Sequence, residues 1–148
     1  MKKLALGAVV VLALVAAGCG GSGGGEELTK EEYASQLNAI CQEANETFSQ
    51  LGATDMAAFK EKGDDVVDAA EKARDEFKDL NAPEELHSAA GTFNDSSDEI
   101  VEDLEKANEA AQNDDQEEFD AALASLQNHG AENDEAAREI GADDCVGS

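Results

Sequence analysis

The sequence predicts an all-α protein, a slender bundle of four helices that run up-down-up-down. Apolar residues recur every three or four positions in four successive segments, a spacing that places them on one face of a helix. All six aromatic residues, five Phe and one Tyr, lie on these stripes. The breaks between the segments, at 51–54, 80–83 and 112–115, are short, and short connections favour antiparallel neighbours in a bundle.

The first helix is predicted to begin after Thr29. Thr29 and Glu32 have the spacing of a capping box, and Leu28 and Tyr33 are placed to form a hydrophobic staple. Gly52 is expected to end the helix. The stripe consists of Tyr33, Leu37, Ile40, Cys41, Ala44, Phe48 and Leu51.

The second helix is predicted to begin after Thr54 or Asp55, either of which can serve as its N-cap. Gly63 falls on its stripe, where it either permits the close approach of a neighbouring helix or introduces a kink. The stripe consists of Met56, Phe59, Gly63, Val66, Ala70, Ala73, Phe77 and Leu80.

The third helix is predicted to hold Pro83 in its first turn, with Asn81 or Ala82 as the cap. The fourth is predicted to start near 113–115, where clustered acids favour a helix N-terminus, and to end at Gly141. The third stripe consists of Leu86, Ala90, Phe93, Ser97, Ile100, Leu104, Ala107 and Ala111. The fourth consists of Phe119, Leu123, Leu126, His129, Asn133, Ala136 or Ala137, and Ile140.

The composition, taken alone, favours disorder. Acidic residues number 35 against 10 Lys and Arg, which gives a net charge of −25. Leu, Ile, Val and Phe make up only 20 of the 130 residues from Cys19 onward, a low share for a folded chain with so high a charge. The regular apolar spacing outweighs this and predicts a folded bundle with a thin, Ala-rich core. A three-helix bundle, with one segment merged into a neighbour or frayed, is the alternative.

The first 18 residues have the organisation of a bacterial lipoprotein signal peptide. Lys2 and Lys3 precede an apolar stretch that is too short for an ordinary membrane span of ~20 residues. Small residues then lead directly to Cys19, as in a lipobox, in which the cysteine is acylated and becomes the new N-terminus. The alternative is a plain secretory peptide cut after Gly18.

Cleavage before Cys19 divides the chain into three parts: the signal peptide at 1–18, the lipidated cysteine with a Gly/Ser tether at 19–27, and an acidic helical domain at 28–148. Cleavage removes two lysines and no acid, so the net charge becomes −27. We therefore expect an extracytoplasmic protein that is anchored to a bacterial cell membrane by the lipid on Cys19.

Two cysteines remain after Cys19, and an even number outside the cytoplasm indicates a disulfide between Cys41 and Cys145. In an up-down-up-down bundle the fourth helix ends beside the start of the first. Cys41 lies ~17 Å along the first helix, and the five residues from Gly141 to Cys145 can span ~16 Å when extended. The chain can therefore turn back at Gly141 and bring Cys145 to Cys41. The alternative is two free thiols.

Short motifs near both ends of the helical region carry a family resemblance. They are Tyr33, Asn38-Ala39-Ile40-Cys41, Asn45 and Gly141-Ala142-Asp143-Asp144-Cys145. Together with the lipobox, they resemble small helical lipoproteins of high-GC Gram-positive, actinobacterial-type bacteria, which are anchored through an N-terminal cysteine. The resemblance implies the helical fold, the disulfide and the anchoring. It implies no activity, because that family has none assigned.

The two histidines do not complete any motif for metal or haem binding. Glu84 and His87 form a single Glu-x-x-His, whereas di-iron bundles need two such motifs and two further carboxylates. We expect His87 on the surface, and His129 paired with Asn133 in the core. The sequence holds neither a C-x-x-C nor a G-x-S-x-G motif. It therefore predicts a non-enzyme with no catalytic residue, cofactor or metal site.

The charge indicates which partners the protein avoids. A strongly acidic surface repels nucleic acid. The acidic runs 94–99 and 113–118 lack the spacing of an EF-hand, so we expect a solvated face with diffuse divalent-cation binding. These features predict a non-enzymatic, membrane-anchored helical module that interacts with an unknown envelope protein. The alternative is a carrier of a cation or small ligand, which a cavity above ~300 Å³ between the helices would favour.

Overall fold

The structure, a computed structural model, describes residues 28–147 and is all-helical, with no strand in that range. Two short 3₁₀ turns, Glu84–Leu86 and Asp143–Cys145, accompany four long helices. The helices are α1 (Lys30–Leu51), α2 (Met56–Lys78), α3 (His87–Gln112) and α4 (Gln116–Ile140). The predicted all-α class with four bundled helices is confirmed. The predicted signal peptide, the lipidation site Cys19 and the tether lie outside the described residues.

The capping box predicted for α1 is present. The backbone N–H of Glu32 donates to Thr29 Oγ1 at 3.2 Å, and the backbone N–H of Thr29 donates to Glu32 Oε2 at 3.1 Å. At the other end, Gly52 adopts the left-handed conformation, with φ 61°, and its N–H donates to the carbonyl of Phe48. Both ends of α1 are therefore fixed by local sequence.

Asp55 and Asp115 are the N-caps of α2 and α4. Their side chains accept hydrogen bonds from the backbone N–H groups of Ala58 at 2.9 Å and of Glu118 at 3.1 Å. Gly141 ends α4 in the left-handed conformation, with φ 89°. The cap predicted for α2 is thus Asp55 rather than Thr54, and the predicted ends of α4 are confirmed.

The start of α3 differs from the prediction. Pro83 does not lie in the first α-helical turn; it precedes a separate 3₁₀ turn, and α3 begins at His87. Pro83 is buried, and the N–H of Leu86 donates to its carbonyl at 2.8 Å. The tighter turn keeps Leu86 in the core at 3% exposure, although its backbone departs from α-helical geometry.

Consecutive helices are antiparallel neighbours. Lys60, near the start of α2, forms an ion pair with Asp114, just beyond the end of α3, whereas Arg74 and Lys78, near the end of α2, contact Asp98 in the first half of α3. The most extensive packing is between α3 and α4, followed by α2 with α3 and then α1 with α2. Helix α1 meets the C-terminal 3₁₀ turn more extensively than it meets α4 itself.

The buried residues form two clusters, one at each end of the bundle. The disulfide-end core is centred on Tyr33, Leu37, Phe77, Phe93 and Ile140, and the far-end core on Phe59, Val66, Leu104 and Phe119. Each core contains an edge-to-face Phe pair, with ring centroids 5.0 Å apart in the first and 5.4 Å apart in the second. The thin, Ala-rich core is therefore divided into two aromatic-centred halves.

Helix α1 is buried along only half of its length. Tyr33, Leu37 and Cys41 are at most 3% exposed, but no residue of α1 beyond Cys41 is buried. Phe48 and Leu51 pack against the far-end core and remain half-buried. The second half of α1 therefore covers the far-end core incompletely.

Candidate functional site

Cys41 and Cys145 are joined in a disulfide, the pair that the sequence predicts. Their Cα atoms are 5.1 Å apart, and Cys145 lies in the 3₁₀ turn that follows Gly141. The chain reverses at Gly141 and runs back along α1, so the bond closes the disulfide end of the bundle.

The C-terminal turn is also held by polar side chains of α1. Asn38 Oδ1 accepts from the backbone N–H of Asp144 at 2.9 Å, and Gln42 donates to the Asp144 carboxylate at 2.7 Å. Asn45 donates to the backbone carbonyl of Asp144 at 3.2 Å. Asn38, Asn45 and Asp144, which belong to the motifs that carry the family resemblance, therefore have a structural role: they hold the C-terminal segment against α1.

His129 lies between two carboxylates of α3, so the predicted pairing of His129 with Asn133 is wrong. Its Nδ1 is 2.7 Å from Asp103 Oδ2, and its Nε2 is 3.2 Å from Glu99 Oε2. The Asp103 side chain is 1% exposed, and its Oδ1 also forms an ion pair with Lys106 Nζ at 3.5 Å. Through these two carboxylate contacts, His129 connects α4 to α3.

Asn133 is bound to α3 one helical turn further on. Its side-chain NH₂ group is 3.0 Å from the carbonyl of Phe93, 2.9 Å from Ser96 Oγ and 3.0 Å from Ser97 Oγ. The side chains of Asn133, Ser96 and Ser97 are all buried. This network and the His129 cluster occupy the middle of the α3–α4 interface and give that interface a fixed register.

One opening between the helices is an apolar groove bordered by all four of them. We call it the α1–α4 groove, because α1 and α4 border it and pack little against each other. Phe48 contributes from α1, Ala70 from α2, Ile100 from α3 and Gly130 from α4. The other lining residues are Cys41, Ala44, Asn45, Ala73, Arg74, Phe77, Phe93, Ser97, Val101, Asn133 and Asp134.

The enclosed part of the α1–α4 groove is small, with a cavity volume of about 90 Å³. That is below the ~300 Å³ of an ordinary small-molecule site. Larger depressions of about 620 and 540 Å³ lie on the surface, the first around Pro83 and the second beside Gly141. They are shallow, and about half of the residues that line them are exposed and polar.

Arg74 is the cation that lines the groove, and neighbouring carboxylates already hold it. Its guanidinium lies 2.9 Å from Asp75, 3.7 Å from Asp98 and 4.0 Å from Glu71. The hydrogen bond to Asp75, ahead of the other carboxylates, raises the pKa of Arg74 above its ordinary value. Three acidic neighbours compensate this charge, which makes it a poor site for an anionic ligand.

The other perturbed groups have local causes in α1 and α2. Hydrogen bonds from Thr29 lower the pKa of Glu32, and burial raises the pKa of Tyr33. The hydrogen bond between Glu43 and Lys72 lowers the pKa of Glu43 and raises the pKa of Lys72. These shifts belong to a cap, a core residue and a surface ion pair, and they do not converge on one site.

Residues 28–147 contain no group of three or more His, Cys, Asp or Glu side chains arranged to hold a metal ion. His87 is exposed at the first turn of α3, with its Nε2 3.1 Å from the carbonyl of Ala82. Within the same range, none of the helices combines the length and apolarity needed to span a membrane.

Comparison with known proteins identifies a family without an assigned role. No curated protein and no solved structure matches the chain. A family model described as a domain of unknown function, DUF7018, matches residues 27–134. The match includes α1 to α3, most of α4 and every residue that lines the α1–α4 groove, and it stops before Cys145. Since it spans well over half of the sequence, the chain belongs to the DUF7018 family.

Proposed function

We propose that this protein is a lipid-anchored, extracytoplasmic lipoprotein of an actinobacterial-type cell envelope, and that its helical domain is a non-enzymatic interaction module. The observation that carries the proposal is the α1–α4 groove: an apolar surface, bordered by four helices, on a domain that is otherwise strongly acidic. We take apolar surface that remains open between the helices of a folded domain as the candidate interaction site.

The anchoring rests on the N-terminal sequence. The signal peptide ends at the small residues before Cys19, and the Gly/Ser tether leads to Leu28 at the disulfide end of the bundle. A disulfide that joins Cys41 to Cys145 fits an oxidising compartment outside the cytoplasm. The tether would hold the disulfide end towards the membrane, with the far-end core and the exposed half of α1 directed away from it.

The non-enzymatic role is supported by the polar clusters. His129 contacts Asp103 through Nδ1 and Glu99 through Nε2, so its polar contacts lie within the α3–α4 interface. A general base must instead reach a proton of the substrate. The polar side chains in the middle of the bundle therefore serve helix register.

A macromolecular partner fits the groove better than a small ligand does. A cavity of about 90 Å³ is too small to enclose a cofactor or a drug-sized molecule. A partner that lies across the opening does not need to be enclosed. This favours the interaction module over the carrier of a small ligand.

Two measurements test the proposal. Metabolic labelling with a palmitate analogue should label the full-length protein and not the Cys19→Ala variant, which should also leave the membrane fraction. A photoreactive benzoylphenylalanine at position 48, inside the groove, should cross-link to a discrete envelope protein in intact cells. The same group at Glu105, exposed on α3, provides the control. Unlabelled wild-type protein would overturn the anchoring, and equal cross-linking from both positions would overturn the interaction surface.

A further inference from the structure

We infer that the α1–α4 groove binds a cationic amphipathic helix of a partner protein. The inference rests on the proposed function, since it names the kind of partner that the same surface takes. Three features of the structure carry it: the shape of the groove, a glycine that the fold itself does not need, and the sign of the surrounding charge.

The groove has the shape of a seat for a helix. Helix α1 packs little against α4 itself, and residues of α2 and α3 line the groove between these two helices. Phe48 on α1 and Ile100 on α3 line the groove and are half-buried, and Leu123 and Leu126 on α4, which do not line it, are half-buried beside the far-end core. A helix that places apolar side chains at three- and four-residue spacing would bury Phe48 and Ile100, as in helix-in-groove recognition.

Gly130 is the second feature. It lies inside α4, where glycine destabilises a helix by about 1 kcal/mol relative to alanine. A Cβ atom added to Gly130 would meet nothing within 4 Å, so packing within the domain does not require glycine there. By contrast, a Cβ at Gly63 would collide with the side chain of Asn108 on α3. The missing side chain at Gly130 leaves the wall of the groove open to close approach from outside.

The charge selects the partner. The described residues include 33 acids and 8 bases, and seven of the bases already contact a carboxylate or carbonyl oxygen of the domain. Asp134 of α4 lines the groove itself, and Glu46 on α1 and Asp120 on α4 are exposed carboxylates of the two helices that border it. An apolar helix with basic flanks would therefore be attracted along its length.

The same charge argues against self-association through this groove. Two mature chains would each carry −27, and their repulsion would oppose an interface built on the same acidic face. A buried acyl chain would need far more enclosed volume than about 90 Å³. The cationic helix is thus the occupant to which the shape and the charge both point.

The test measures binding of a synthetic amphipathic peptide to protein expressed from the full coding sequence. The probe is a fluorescent Leu/Lys peptide of about 18 residues whose leucines follow helical spacing. A peptide of the same composition in scrambled order controls for simple charge attraction. Anisotropy is recorded at about 0.15 M salt, where the Debye length is ~8 Å and exposed charges are largely screened. We expect the patterned peptide to bind at least about tenfold more tightly than the scrambled one.

Gly130→Leu fills the groove without changing the net charge, and it should weaken binding of the patterned peptide about tenfold or more. Gly91→Leu is the matched control, because Gly91 also lies within a long helix with nothing within 4 Å of an added Cβ, and it does not line the groove. It should bind within about twofold of wild type. Circular dichroism checks that Gly130→Leu folds. If it does not, Phe48→Gln, which removes an apolar side chain from the groove, must weaken binding of the patterned peptide to the same extent.

Other results overturn the inference. Equal binding of the patterned and scrambled peptides, or undiminished binding by a folded Gly130→Leu protein, would leave only non-specific charge attraction. If the wild type dimerises and Gly130→Leu abolishes the dimer, the groove belongs to a second copy of the chain. If palmitate displaces the peptide, the groove belongs to an acyl chain.

The failure of this inference can be distinguished from the failure of the proposed function. If Cys19 is unlabelled while the peptide binds, only the proposed anchoring fails. If position 48 cross-links in cells while the peptide does not bind, only the cationic helix fails.

Discussion

Asp103 is the only acidic side chain that is fully buried in the described part of the chain, and it contacts side chains of both α3 and α4. Its two oxygens meet His129 of α4 and Lys106 of α3, so the carboxylate is paired on both sides. A buried charge is tolerated only with such partners. Glu99 contacts the same imidazole from the surface, with its side chain 51% exposed. One histidine therefore has a buried carboxylate partner, Asp103, and an exposed one, Glu99, and the two can be compared directly.

We predict that Asp103→Ala lowers the free energy of unfolding by about 1.5–3 kcal/mol, because it removes a buried charged hydrogen bond and leaves its partners unsatisfied. Glu99→Gln, at the exposed partner, should cost no more than about 1 kcal/mol. Urea denaturation of the two variants at neutral pH measures the difference. Equal losses would show that burial does not set the strength of this cluster.

The sequence could place His129 on the inner face of α4 but could not identify its partner. Acidic residues are usually exposed, and nothing in the local pattern marks Asp103 among 35 acids. Asn133 is the nearest polar residue on the same stripe, so the sequence favours a His129–Asn133 pair. In the structure the two side chains bind α3 separately, His129 at Asp103 and Asn133 at Phe93. Partners on a neighbouring helix depend on register, which one helix cannot reveal.

At the scale of the element, α3 is the helix whose burial the sequence underestimates. The predicted stripe is largely buried, but a second buried row follows it at seven-residue intervals: Ala89, Ser96, Asp103 and Ala110. Helix α3 has two buried faces because it packs between α2 and α4. The second row contains only small or polar residues, so hydropathy does not detect it. Ile100, on the predicted stripe, is instead half-buried and lines the groove.

Two glycines of α2 and α4 should respond in opposite ways to substitution by alanine. Gly130→Ala should raise the free energy of unfolding by about 1 kcal/mol, since the added methyl meets open space and alanine favours the helix. Gly63→Ala should lower it despite the same gain in helix propensity. A Cβ there would collide with Asn108, whose amide is held by a hydrogen bond to Asp64 at 2.7 Å. Thermal denaturation of both variants checks the signs, and a stabilised Gly63→Ala would contradict the close approach of α2 and α3.

At the scale of the whole molecule, the disulfide fastens α1 at the only end where that helix is buried. Tyr33, Leu37 and Cys41 share the disulfide-end core, whereas the second half of α1 has no buried residue and borders the groove. The cysteine count and the geometry of a turn at Gly141 were sufficient to predict this bond. They could not predict the groove, because it depends on how the four helices pack against one another.

We predict that Cys41→Ser with Cys145→Ser lowers the free energy of unfolding substantially, up to about 4.7 kcal/mol for a closed loop of about 100 residues. The unlinked chain gains conformational entropy when it unfolds, and the C-terminal turn loses its covalent hold on α1. Urea denaturation of the double variant, compared with wild type with and without reductant, measures the effect. Reduced wild type should behave like the double variant, and unchanged midpoints in both would contradict a stabilising role for the disulfide.

The charge of the whole domain leads to a prediction about salt. With 33 acids against 8 bases in the described residues, repulsion among carboxylates opposes the folded state. Added salt shortens the Debye length from ~30 Å at 0.01 M to ~3 Å at 1 M, which screens this repulsion. It also screens the ion pairs, but most of these are exposed and each contributes only about 0–1 kcal/mol. The melting temperature should therefore rise with NaCl, and millimolar CaCl₂ should raise it as well.

Because the described residues hold no cluster of metal ligands, CaCl₂ should act by screening and diffuse binding, without a saturable transition at a fixed stoichiometry. Calorimetric titration distinguishes the two: a stoichiometric heat would indicate a specific site, and an unchanged melting temperature across the salt range would mean that self-repulsion does not limit the stability of this bundle.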